Sequence, residues 1–237
     1  MVSISMRKLV TEKVLRRYIR RQLMIQQHSA EGYLSESIDP RMQKRLDVLL
    51  NDPEYSNVFI IVKHDVADER YRIEYYTWEN DYSRIEPPEG TLTFRKMGRS
   101  KAHGPCANAW EIAFASATKG WGALLYEIGL ELVGEDGLVP DRFSVSGDAK
   151  AVWDKYETRG DVEAVQLDVI KHSHVWKEMQ PPEQLTPDKQ EDDCEQVSAV
   201  HYGGREEWSE VSISKKYVKR GTDVIDALRA GGKLIEE

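Results

Sequence analysis

The sequence predicts an α/β protein: a central mixed sheet flanked by helices, with helical extensions at both ends. Three observations predict it. Val58–Val62 and Arg70–Trp78 are apolar or alternating runs joined by a polar turn, as in an antiparallel hairpin. Ile112–Ala115 runs into Lys119-Gly120-Trp121-Gly122 and then the amphipathic Ala123–Leu132, which is strand, tight loop, helix. A short apolar piece, a second helix and an alternating strand follow, over Leu138–Val169.

The first segment, Met6–Gln27, carries Leu15, Ile19 and Leu23 on one ridge, with Arg16, Arg17, Arg20 and Arg21 largely on other faces. It reads as a basic amphipathic helix. Polar residues lead from there to Pro40 and Pro53, so residues 1–50 are expected to be an arm and linker. The body is expected over 51–170. Val58–Val62 suits a buried strand, and Tyr71, Ile73, Tyr75 and Thr77 share one face of the next. Pro87-Pro88-Glu89-Gly90 marks a turn before a third strand, Thr91–Arg95, and Gly98–Pro105 reads as loop. The fourth strand is the run before Gly120. Leu138–Pro140 is a short apolar piece, Ser146–Glu157 a helix capped by Ser144 or Ser146, and Val162–Val169 a strand. Residues 171–237 are expected to form an acidic, proline-containing linker and a C-terminal extension. Thr222–Ala230 would be a small helix ended by Gly231-Gly232.

Composition narrows the function. The formal charge is −8, yet Met1–Gln27 has seven basic residues against one acid, which leaves −14 for the rest. An acidic body with a basic arm suits docking to a protein partner, or self-association through Leu15, Ile19 and Leu23, rather than wrapping nucleic acid. No apolar run approaches the ~20 residues of a membrane helix, so no membrane association is expected. The two cysteines, Cys106 and Cys194, lack zinc-ligand spacing and do not form a disulfide framework. The default is therefore a reducing compartment: the host cytoplasm, or a virion if the protein is structural.

The glycine turn aims backbone N–H groups and a helix N-terminus at one point, an arrangement suited to phosphate. Ala117–Gly122 (ATKGWG) and Ala149–Gly160 (AKAVWDKYETRG), with its Tyr-Glu-x-x-Gly ending, resemble the core of the GNAT superfamily of N-acyltransferases. The longer run from Gly120 to Val162 is similar to a group of bacteriophage GNAT-like proteins. The resemblance covers roughly Asn57 to Val169. It implies a GNAT-like twisted sheet and transfer of an acetyl group from acetyl-CoA to an amine. The backbone of Phe114, Ala115 and Ser116 would align the pantetheine arm. Lys119, Gly120, Trp121, Gly122 and Ala123 would hold the pyrophosphate, and Tyr156 would protonate the departing thiolate. Where the family carries Gln or Arg at the head of the loop, this chain has Ala117.

Glu111, at the start of the fourth strand, is a candidate base for the acceptor amine. Glu79, Asp81 and Glu86 are other acids near that groove, and Arg142 could neutralise a phosphate. Two other readings stay open. The fold could serve as a catalytically inactive structural or interaction module, possibly a phage virion component. Cys106, close to His103, could be a nucleophile, although a buried structural cysteine is the commoner case. His172 and His174 lack a third ligand, so no metal site is expected. Deleting Met1–Gln27 is expected to leave a folded body that has lost a partner or oligomer contact. Circular dichroism and light scattering check this, and collapse of the whole fold would place the arm in the core.

Overall fold

The computed structural model describes residues 38–80, 83–84, 87–97, 106–141, 145–167, 170–171, 183–184 and 212–237. The basic helix expected over Met6–Gln27, with Leu15, Arg16, Arg17, Ile19, Arg20, Arg21 and Leu23, lies outside them. So do His103, Arg142, His172, His174 and Cys194.

The sheet grows from the expected hairpin. β1 (Val58–Asp65) and β2 (Arg70–Asn80) pair antiparallel, with Val58 opposite Thr77 and Asp65 opposite Arg70. Asp65 turns the chain by accepting hydrogen bonds from the N–H groups of Ala67 and Asp68. After the two-residue β3 (Ser83–Arg84), β4 (Gly90–Lys96) pairs with β2, and β5 (Trp110–Ala117) pairs with β4, all antiparallel. α2 (Gly122–Val133) then crosses to β6 (Leu138–Val139), which lies parallel to β5. α3 (Gly147–Thr158), capped by Ser146, leads to β7 (Val162–Gln166). The two-residue β8 (Ile170–Lys171) and β9 (Glu183–Gln184) pair with each other apart from the main sheet.

The C-terminal residues are not an extension. β10 (Lys215–Lys219) inserts between β6 and β7, antiparallel to both. α4 (Asp223–Ala230) buries Val224, Ile225 and Leu228, and β11 (Leu234–Glu236) adds a parallel edge to β1. The order across the main sheet is β11-β1-β2-β4-β5-β6-β10-β7. The N-terminal boundary moves as well. α1 (Pro40–Asn51), in a stretch expected to be linker, buries Met42, Leu46 and Leu49 in the main core. Among the described residues, no helix is long and apolar enough to cross a membrane.

α2 is enclosed nearly all round. Gly129 lets it approach the sheet: a Cβ there would lie 3.0 Å from Leu92 and 3.3 Å from Phe94. On another face it buries two carboxylates, Glu127 and Glu131. Lys219 of β10, itself buried, donates to both, at 2.7 and 2.6 Å. Arg159, just past α3, makes a two-point bond to Glu127 at 2.6 and 2.9 Å and also holds Asp161. Glu131 accepts from Val224 N and Ile225 N, so it caps α4 in place of Thr222. Burial alone would raise the Glu127 carboxyl, but the bonds and charges of Arg159 and Lys219 bring it below the usual glutamate value. The stabilisation this adds is fully present above the ordinary glutamate range and is lost as pH falls through the lowered pKa.

Lys219→Ala should therefore strand two buried carboxylates and lower the unfolding free energy by about 3–5 kcal/mol in urea titrations at neutral pH. A loss below ~1 kcal/mol would show that water or a neighbouring cation replaces it.

Candidate functional site

β5 and β6 pair only at Trp110–Leu138 and Glu111–Val139. Two local features stop the ladder there. Pro140, directly after β6, has no N–H to donate. On the other side of β5, the register with β4 shifts between Thr93–Phe114 and Phe94–Ile112, leaving Ala113 unmatched. Such a bulge bends its strand. From Ala113 to Ala117 the strand is exposed, with its β6-side edge unpaired among the described residues.

The end of that strand turns a tight corner. Thr118 fixes it by donating both its N–H and its hydroxyl to Glu89 O. Gly120 has φ +94, a left-handed conformation that favours glycine. Trp121 turns inward, stacks on Tyr75 at 5.1 Å and meets Tyr55 at 5.2 Å, so its bulk lies in the core and not in the groove. Trp121 N bonds Thr118 O, whereas the N–H groups of Lys119, Gly120, Gly122 and Ala123 find no partner among the described residues. They and the positive end of the α2 dipole face a cleft of about 820 Å³.

Two further helices begin at the same cleft: Asp39, Arg41 and Met42 of α1, and Ser146, Asp148 and Ala149 of α3, line it. Arg41, Arg45, Lys119 and Lys155 line it too, and none forms an ion pair with a carboxylate among the described residues. The Arg45 guanidinium lies against the glycine corner. A Cβ built on Gly120 would be 2.5 Å from its Nη2, and its centre is 5.5 Å from the Trp121 ring.

Tyr156 reaches the cleft from α3. Its hydroxyl is buried without a hydrogen-bond partner. Trp153 and Tyr217 hold its ring at 5.7 and 5.9 Å, and the Arg159 guanidinium lies 5.2 Å from the ring centre. Burial, followed by the Glu127 carboxylate, pushes the phenol well above its ordinary pKa. The phenol therefore stays neutral, with its hydroxyl near the Glu127 carboxylate.

Of the residues singled out in the sequence, Ala115, Ser116, Lys119, Gly120, Gly122, Ala123 and Tyr156 come together around this cleft. Phe114 and Trp121 do not line it; Phe114 is 56% exposed. Glu111 is also outside, at the far end of β5, with its carboxylate 3.6 Å from Arg95. Cys106 is buried and disulfide-bonded, which removes the nucleophile reading. Among the described residues, no three His, Cys, Asp or Glu side chains are grouped to hold a metal ion. Sequence reasoning missed Arg41 and Arg45. The signal was present: Asp39-Pro40 is a helix start, and Met42, Leu46 and Leu49 follow at helical spacing.

Two variants separate scaffold from site. Gly120→Val, strained by φ and by Arg45, should lose more than ~1 kcal/mol of stability. Tyr156→Phe removes a buried hydroxyl that bonds nothing, and should leave stability unchanged or raise it by about 1 kcal/mol. Thermal unfolding measures both; a clear loss for Tyr156→Phe would mean the hydroxyl has a structural partner. Comparison of the chain with known proteins found no matching family model, curated protein or solved structure.

Proposed function

We propose that the protein is an acyl-CoA-dependent N-acyltransferase of GNAT type, moving an acetyl group to an amine. One observation carries the reading: the open edge of β5, the unpaired amides of Lys119, Gly120, Gly122 and Ala123, and the unbonded Tyr156 hydroxyl meet in one cleft. The mixed α/β sheet is consistent with it: β6 pairs parallel with β5 at two rungs, and β10 lies between β6 and β7. The rival reading, an inert module, rests on Ala117 and the lack of a placed base; against it, Trp121 is in the core and does not line the cleft.

The residues present fit the donor. The loop amides and the α2 N-terminus would take its diphosphate, and the free backbone groups of Ala115–Ala117 would align an amide-bearing arm as an added strand does. Bound acyl-CoA would supply an activated thioester. Tyr156, kept neutral by burial, would donate a hydrogen bond to the sulfur that leaves. The described carboxylates lining the cleft are Asp39, which caps α1, and Asp148, in the first turn of α3. Neither is placed as a base beside Tyr156, so the acceptor would enter as the neutral amine.

Calorimetric titration with acetyl-CoA and with CoA tests the reading. Micromolar binding is expected, about −8 kcal/mol. Tyr156→Phe should keep the binding and slow transfer to an amine by about 10²-fold. The rate should rise with pH toward the pKa of the amine used, not that of a carboxylate. A folded protein that binds neither ligand overturns the proposal.

A further inference from the structure

We propose that Arg41 and Arg45 of α1 form a diphosphate clamp over the Gly120 corner, replacing the cationic side chain that the loop lacks at Ala117. The inference rests on the acyltransferase reading for its natural ligand, but not for its chemistry.

Arg41 and Arg45 are four residues apart, hence neighbours on one face of α1, while Met42, Leu46 and Leu49 anchor the adjoining face in the core. Both arginines line the cleft. Neither meets a carboxylate among the described residues, unlike Arg159, which is committed to Glu127 and Asp161. Arg45 is already posted: its guanidinium sits on Gly120 and against Trp121, whose ring is fixed by Tyr75 and Tyr55. Opposite lie the unpartnered amides of Lys119, Gly120, Gly122 and Ala123.

Tyr156, whose hydroxyl is buried without a hydrogen-bond partner of good geometry, lines the same cleft. Each guanidinium is a planar fork that matches two phosphate oxygens. Two forks one helical turn apart can engage two linked phosphates at once, whereas a single phosphate engages only one. The site should therefore select diphosphate esters over monophosphates. Among acyl carriers that means free CoA over carriers bearing 4′-phosphopantetheine alone.

The full-length chain is titrated with inorganic pyrophosphate, inorganic phosphate, CoA and 4′-phosphopantetheine, with unfolding curves for every variant. Pyrophosphate is expected to bind at least ~10-fold more tightly than phosphate, and CoA at least ~10-fold more tightly than 4′-phosphopantetheine. Arg45→Ala and Arg41→Ala should each weaken pyrophosphate and CoA by ~10-fold or more. Arg45→Lys should recover part of the loss, and serves alone if the alanine variant is unfolded. Lys44→Ala, an exposed α1 cation outside the cleft, should change nothing.

Tight CoA binding indifferent to both arginines overturns the clamp and leaves the acyltransferase reading standing. Arginine-dependent pyrophosphate binding without CoA binding does the reverse. Equal losses from Lys44→Ala would reduce the effect to bulk charge and overturn the clamp.

Discussion

The fold depends on how two carboxylates are neutralised inside it. α2 passes through the middle of the molecule and carries Glu127 and Glu131 on a face with no access to water. Taking such groups out of water costs several kcal/mol each unless charge and hydrogen bonds answer them. Lys219, Arg159 and the first amides of α4 answer them, and each comes from a different element. β10, the end of α3 and the start of α4 are thereby referred to one helix. Apolar packing tolerates small slips in register; this network does not, since any slip leaves a buried charge alone. The same Arg159 lies over the Tyr156 ring, so the network also fixes a side chain that lines the cleft.

The cleft comes from places where regular structure stops. β5 runs on for six residues after β6 has ended at Val139, and the gap holds backbone groups that a sheet would otherwise consume. The first residues of three helices line it, those of α1 and α3 capped by Asp39 and Ser146. Four cations without carboxylate partners among the described residues line it, in a chain whose net charge is −8. An acidic surface around a positive recess focuses anions to the recess and repels them elsewhere.

Much of this was legible in the residues. The hairpin, β4, the strand–corner–helix unit and α3 with its Ser146 cap all follow from local patterns, and local patterns are what a sequence displays; that the glycine corner and Tyr156 share a cleft was implied by the family resemblance alone. The missed parts are of two kinds. α1 was hidden by its composition: four charged residues among twelve masked the Met42–Leu46–Leu49 stripe, although Asp39-Pro40 announces its start. β10 and β11 are five and three residues long and carry charged residues. They count as strands only because distant partners await them, Glu127 and Glu131 for Lys219 and β1 for Leu234–Glu236. Glu111 lies on the expected strand, but at the end away from the cleft, with its carboxylate 3.6 Å from Arg95.

The late arrival of β10 has a bearing on the birth of the molecule. During synthesis β1 to β7 can form in order as they emerge, but β6 and β7 do not touch in the finished sheet; β10 stands between them. Until residues 215–219 leave the ribosome, α2 holds two carboxylates with Lys219 still missing, and β1 lacks its parallel edge until residue 236. Joining segments so far apart in the chain is slow, because the loop entropy must be lost before the contacts repay it. The glycine corner is built from neighbouring residues, whereas the sheet that carries the α3 side of the cleft closes only with residues 215–219 in place.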